Sequence, residues 1–160
     1  MSKISKILVP TDFSEGSQAA LAQAAELARA FKARLEVLHV WEIPVFLPGE
    51  LVVGVSGAQE SLMELVQKRA NQRLAELAAK AEASGLHISA LSCVLGVPHA
   101  TIVDTATAGG HDVIVLGSHG RTGLKRALLG SVAERVVRHA PCTVVVAREP
   151  KPARGEAPAR

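Results

Sequence analysis

Residues 113–132 read VIVLGSHGRTGLKRALLGSV, and few folds accommodate such a stretch. The apolar run 113–116 has the composition of a strand buried on both faces. Gly117, Gly120 and Gly123 follow, where the backbone must turn without side chains in the way. Lys125 and Arg126 come next, and Gly130-Ser131 stand immediately ahead of a helical pattern containing Val132, Val136 and Val137. A strand, a glycine-rich basic loop and a helix start, in that order, form an anion site. Exposed backbone N–H groups and the helix dipole both favour negative charge there, so a phosphate is the expected guest.

The 160 residues of the chain are enough for one domain with a sizeable core, and two domains are not expected. No apolar run approaches the ~18 residues of a membrane span, so no membrane segment is expected. The opening MSKISKILVP lacks the longer apolar region and small-residue cleavage site of a signal peptide, which points to the cytoplasm. Cys93 and Cys142 lie far apart in strand-like stretches, as suits two buried reduced thiols rather than a disulfide or a metal pair.

The net charge of +3 is unevenly spread. Residues 1–116 carry nine Lys/Arg against twelve Asp/Glu, whereas residues 117–138 carry five basic side chains and only Glu134. Positive charge focused on one loop and its helix suits a small anion better than a duplex, which needs a broad basic face. Phe13, Phe31, Trp41 and Phe46 form no spaced stacking platform. Nucleic acid is therefore disfavoured as a partner.

Along the chain, residues 6–10 read as a buried strand and residues 11–14 as a turn into a helix, with Asp12 or Ser14 able to cap it. Residues 17–31 carry a broad apolar stripe through Leu21, Ala25, Ala28 and Phe31, and residues 35–40 form a second strand. Pro44, Pro48, Gly49, Gly54 and Gly57 mark residues 43–57 as a long loop. That loop is apolar and is expected to cover a pocket mouth or a partner. A long helix is predicted over 58–84, an edge strand over 87–95 and a third helix from Pro98 to the Gly109-Gly110 stop. The fourth helix starts at Ser131, with Ser131 and Glu134 as a capping-box pair. Residues 143–147 (TVVVA) are the fifth strand. Residues 149–160 hold too little apolar content to fold and are expected to be a disordered tail.

Strands alternating with helices imply right-handed crossovers, hence an α/β fold: a doubly wound sandwich around a parallel sheet. Ligands of such sheets bind beyond the carboxyl ends of the strands. Asp12, Val40, Val97 and Gly117 all fall on that edge.

The spacing Gly117, two residues, Gly120, nine residues, Gly130-Ser131 resembles the G-x2-G-x9-G-[ST] nucleotide signature of the universal stress protein family. The flanking ILVPTDFSEGS and GSVAERVVRHAPCTVVVA resemble the two ends of that family's domain, and the similarity covers about residues 3–148, with residues 1–148 as the domain. The resemblance implies strand order 3-2-1-4-5, a homodimer and the ATP-binding branch, with ATP, with or without Mg²⁺, as the cofactor. By matching position it places Pro10, Thr11, Asp12, Val40 and Val97 on the adenine and ribose side. Gly117, Gly120, Arg121, Gly130, Ser131 and Val132 would hold ribose and phosphates, and Ser118 is counted with them. It implies a stress-response regulator working as a nucleotide-dependent switch with protein partners.

Several of these residues have a second, purely structural role open to them. Ser131 can cap its own helix or contact a phosphate, and Asp12 can cap a helix or accept hydrogen bonds from adenine or ribose. Arg121 can pair with a phosphate or be a solvated loop arginine; Lys125 and Arg126 suit a solvated face that raises the local potential. None of the six histidines pairs at zinc-site spacing, and His119 is expected to make a structural hydrogen bond. Ser118 is not in a G-x-S-x-G elbow. No G-x4-G-K-[ST] occurs and only Asp12 among three aspartates is well placed, so phosphoryl transfer would be slow. Two alternatives remain: a slow Mg²⁺-dependent ATP hydrolase or phosphotransferase, and a dimeric interaction module with a vestigial site. The fifth strand is an apolar edge, and antiparallel pairing of two copies through Val144, Val145 and Val146 would close a homodimer.

Overall fold

The computed structural model describes residues 4–42, 52–55, 58–120 and 129–148. Five parallel strands, β1 (Lys6–Pro10), β2 (Arg34–Trp41), β5 (Ala90–Leu95), β6 (Val113–Gly117) and β7 (Thr143–Ala147), form one sheet in the order β5-β2-β1-β6-β7. Counting these strands alone, the order is 3-2-1-4-5, as expected. The helices α1 (Glu15–Phe31), α2 (Leu62–Ala83), α3 (Pro98–Gly109) and α4 (Ser131–His139) make the crossovers.

Alternation along the strands sorts the core onto two faces. Ile7, Val9, Leu35, Val37, Val113 and Val115 meet Ala20, Ala24 and Ala28 of α1 and Leu74 and Ala81 of α2. Leu8, Leu38, Ile114 and Leu116 meet Ile102 and Ala106 of α3 and Ala133 and Val136 of α4 on the other face. The alanine stripe explains why α1 lies close on the sheet. Between α1 and α2 a groove of about 560 Å³ remains, with Phe13 and Leu86 among its lining residues.

Several local expectations change. Ahead of α2, β3 (Val52–Val55) pairs antiparallel with β4 (Ala58–Ser61), so part of the expected loop is a hairpin and the helix starts later than predicted. Three valines in four residues favour extended backbone. The rest of that loop and the 149–160 tail lie outside the described residues. The edge strand begins at Ala90, where it comes into register with Glu36. Ser14, not Asp12, caps α1, its hydroxyl accepting from the Ser17 N–H at 3.2 Å. Gly130 caps α4 without any side-chain bond, making Ser131 the first helical residue, and Glu134 turns instead to Arg138 at 2.9 Å. Cys93 and Cys142 are free but only half-buried, and burial raises both thiols above their ordinary pKa.

A polar clasp holds the opposite, amino-terminal edge of the sheet. The Glu36 carboxylate takes Lys6 Nζ and His111 Nε2, both at 3.0 Å, and Asp112 Oδ2 accepts from Ser5 N–H, Ser5 Oγ and Lys6 N–H. The two N–H bonds and the hydroxyl hold Asp112 below its ordinary pKa. Burial pushes Glu36 up, but the hydrogen bonds and charges of Lys6 and His111 outweigh it and hold Glu36 low as well. A depressed carboxylate contributes stability that is present above its unfolded value, about 4, and is lost as pH falls through the lower folded value. Thermal unfolding is therefore expected to drop on acidification below about pH 4, with a shallower drop in Asp112→Asn. An identical acid limb in that variant would contradict the clasp.

Candidate functional site

At the carboxyl end of β1 the chain is steered sideways by bonds to β2. The buried Thr11 donates its N–H to Leu38 O at 2.8 Å, and its own carbonyl accepts from the Nδ1–H of the buried His39 at 2.7 Å. That carbonyl has no proton to give, so the His39 tautomer with Nδ1 protonated is fixed. Thr11 Oγ1 accepts the Phe13 N–H at 3.0 Å and lies 3.1 Å from Ser17 Oγ in the first turn of α1. Asp12 follows, half-buried. Its Oδ1 accepts from Ser14 N–H at 3.0 Å and from Ser14 Oγ at 2.5 Å. These bonds lock the carboxylate, and its other oxygen lies so close to Gly120 that a Cβ there would stand 2.9 Å from Oδ2. The first strand and the glycine loop thus meet at Asp12.

The loop after β6 is built by close approaches. A Cβ at Gly117 would stand 2.6 Å from the carbonyl carbon and 2.7 Å from the oxygen of Gly16 in α1, so helix–strand packing alone demands glycine there. Ser118 is buried, donates its N–H to Ala147 O at 2.9 Å and accepts the Gly130 N–H on its carbonyl at 2.8 Å. A Cβ at Gly130 would lie 3.2 Å from Ser118 O and 3.4 Å from His119 Cα. Gly120 and Gly130, with nine residues between them in sequence, are therefore drawn together, and α4 begins directly beside them. His119 makes a structural bond, its Nδ1 standing 3.0 Å from Ser118 Oγ.

Because its N-cap is glycine, α4 starts with no side-chain acceptor at its cap. Ser131 and Val132 are exposed in its first turn. Pro10 and Val40 are half-buried at the ends of β1 and β2, and Val97, 52% exposed, precedes Pro98 at the start of α3. The topology puts all of them on the same edge of the sheet. Arg121, Gly123, Lys125 and Arg126 lie outside the described residues. Residues that the sequence did not single out, His39 and Phe13, shape the turn around Asp12. Phe13, at φ 66°, carried one faint signal: it sits between two helix-capping residue types.

The edge offers backbone N–H groups at a helix start, a held carboxylate, and partly exposed valines. That combination can hold an anion, accept from hydroxyl or amino groups and cover a flat apolar ring. Among the described residues no group of three or more His, Cys, Asp or Glu is placed to hold a metal ion, and no helix is long and apolar enough to cross a membrane.

Residues 3–148 match the model of the universal stress protein family. The chain is 38% identical over 148 residues to Universal stress protein MJ0531 of Methanocaldococcus jannaschii, the match covering 91% of this chain and 83% of that one. The solved universal stress protein UspA from Lactobacillus plantarum superposes with a TM-score of 0.71 at 26% identity, over 92% of this chain and all of that one. A universal stress protein from Archaeoglobus fulgidus, solved in complex with dAMP, shares the fold with a TM-score of 0.61 at 24% identity, over 91% and 99% of the two chains. By the match over residues 3–148 and the likeness to the Methanocaldococcus jannaschii protein, the chain belongs to the universal stress protein family.

Proposed function

We propose that this protein binds ATP at the carboxyl edge of its sheet and acts as a nucleotide-dependent switch for a protein partner in the stress response. The observation that carries the reading is the meeting of Asp12 with Gly120 and of Gly130 with Ser118 beside the start of α4. The relative from Archaeoglobus fulgidus, with dAMP bound, supports an adenine nucleotide as guest. Asp12 would accept from ribose or adenine, with Pro10, Thr11, Val40 and Val97 around the base. Backbone N–H groups of Gly120, Ser131 and Val132 would take the phosphates beside the bare Cα of Gly130, with Arg121 as a further cation. A Mg²⁺ bound mainly through phosphate oxygens needs only one or two protein carboxylates, and Asp12 suits that place. A nucleotide filling the cradle would change the surface that this edge of the sheet offers to a partner. The test is chromatography of whatever nucleotide the freshly purified protein releases on denaturation. Stoichiometric ATP or ADP is expected, and a different released ligand would overturn the reading.

Slow hydrolysis is the second reading, favoured by the single well-held carboxylate at Asp12. It requires turnover of Mg²⁺-ATP that disappears in Asp12→Ala.

The proposed homodimer uses the outer edge of β7. The Ala147 carbonyl accepts from Ser118 N–H, so by strand alternation Val145 also turns its amide toward β6, while Val144 and Val146 turn theirs outward. Val146→Pro removes an outward donor and leaves the β6 ladder whole. Light scattering is expected to show monomers of the variant at concentrations where the parent is a dimer. An unchanged dimer mass would refute this interface.

A further inference from the structure

Phe13 and Lys32 are the two non-glycine residues with positive φ among the described ones. Lys32 terminates α1, where the left-handed conformation is ordinary. Phe13 has no such excuse: a side chain disfavours φ 66°, and such outliers persist only where the surroundings over-determine them, often at functional sites. Three contacts do so here. Its N–H is held by Thr11 Oγ1, its ring lies 4.6 Å from the His39 ring at 45°, and the Arg73 guanidinium carbon of α2 sits over it, 4.2 Å from the ring centroid. Arg73 is exposed and forms no ion pair among the described residues. Phe13 is the residue between Asp12 and Ser14, whose N–H and hydroxyl bind the Asp12 carboxylate.

We infer that the stacking of Arg73 on Phe13 is a positioning device for nucleotide recognition, by which α2 holds the β1–α1 turn in the conformation that sets Asp12 against Gly120. The inference rests on the nucleotide reading of that edge. Phe13 and Arg73 touch no phosphate in this account; they act through Asp12. The rival role for Arg73 is a plain positive charge attracting phosphates, and the two roles separate cleanly. A charge acts on ATP and spares adenosine, whereas a displaced Asp12 weakens both alike.

The experiment measures adenosine and ATP affinity of the full chain by calorimetry for Arg73→Gln, Arg73→Lys, Phe13→Leu and the double variant Phe13→Leu/Arg73→Gln. An exposed cation–π contact corresponds to about a threefold change in affinity. Arg73→Gln is expected to weaken adenosine and ATP by that same factor, Arg73→Lys to restore most of it, and the second substitution to add nothing once Phe13 is Leu. Weakening of ATP alone, or an equal loss in both Phe13 backgrounds, would overturn the inference. Amide exchange in the nucleotide-free protein separates its failure from that of the nucleotide reading. Faster exchange at Phe13 and Ser14 in Arg73→Gln, with the β1–β2 ladder unchanged, is the expected sign that the turn has loosened. Unchanged exchange overturns the clamp itself; faster exchange in Arg73→Gln, with a parent chain that binds neither ligand, overturns its role in recognition.

Discussion

Gly117→Ala is expected to cost about 3 kcal/mol of stability, the upper range for forcing extra volume into a packed site, and to lower the melting temperature by roughly 6–12 °C for a domain of this size. The atoms a new Cβ would strike are the backbone carbonyl of Gly16, at 2.6 and 2.7 Å. Backbone in the first turn of a helix cannot swing aside as a side-chain tip can, so either α1 lifts from β6 or the turn after β6 shifts. The buried Ser17 and Ala20 of α1 would move with it. The effect separates the first glycine of the signature from the others: its substitution should unfold before it weakens a ligand. Differential scanning calorimetry checks this, and a melting temperature within a degree or two of the parent would mean that the Gly16–Gly117 approach is looser than described.

Gly130→Val is expected to do the reverse, leaving a folded protein that has lost nucleotide. A Cβ at this position meets Ser118 O at 3.2 Å and His119 Cα at 3.4 Å, contacts tight enough to push the loop but lying at the open carboxyl edge rather than under a helix. The added methyls of valine would occupy the approach to the first amides of α4. Losing two or three charge-assisted bonds to a phosphate, each worth roughly 1.5–3 kcal/mol, should weaken ATP by at least a hundredfold while circular dichroism stays native. Retained ATP affinity in a folded Gly130→Val protein would remove the cradle from the account.

Much of this was legible because periodicity and glycine spacing are local. The run at residues 113–116 is fully buried as read, and the stripe Ala25 and Ala28 of α1 faces the sheet. The strand order followed from the family resemblance rather than from any pattern in the residues. Where local signals compete, tertiary bonds decide between them. Ser131 and Glu134 have the spacing of a capping box, yet the loop that bonds Gly130 N–H to Ser118 O sets glycine at the cap and pulls Ser131 into the helix. Residues 87–89 look like strand by alternation, but the strand starts at Ala90, with only the Ser89 N–H reaching back to Leu35 O ahead of it. The long-range contacts that shape the site and clasp the far edge of the sheet were invisible for a different reason. Gly16 against Gly117, Arg73 over Phe13, and Glu36 between Lys6 and His111 each join residues far apart in sequence. No spacing rule reaches across a fold that has yet to form.

The most direct measurement is a calorimetric titration of ATP into the full chain after bound ligand has been stripped. Saturable heat at one ATP per chain, diminished in Asp12→Ala and absent in Gly130→Val, is the result expected of a carboxyl-edge nucleotide site. A folded protein that gives no heat with ATP, or one whose affinity is unchanged in both variants, would contradict it.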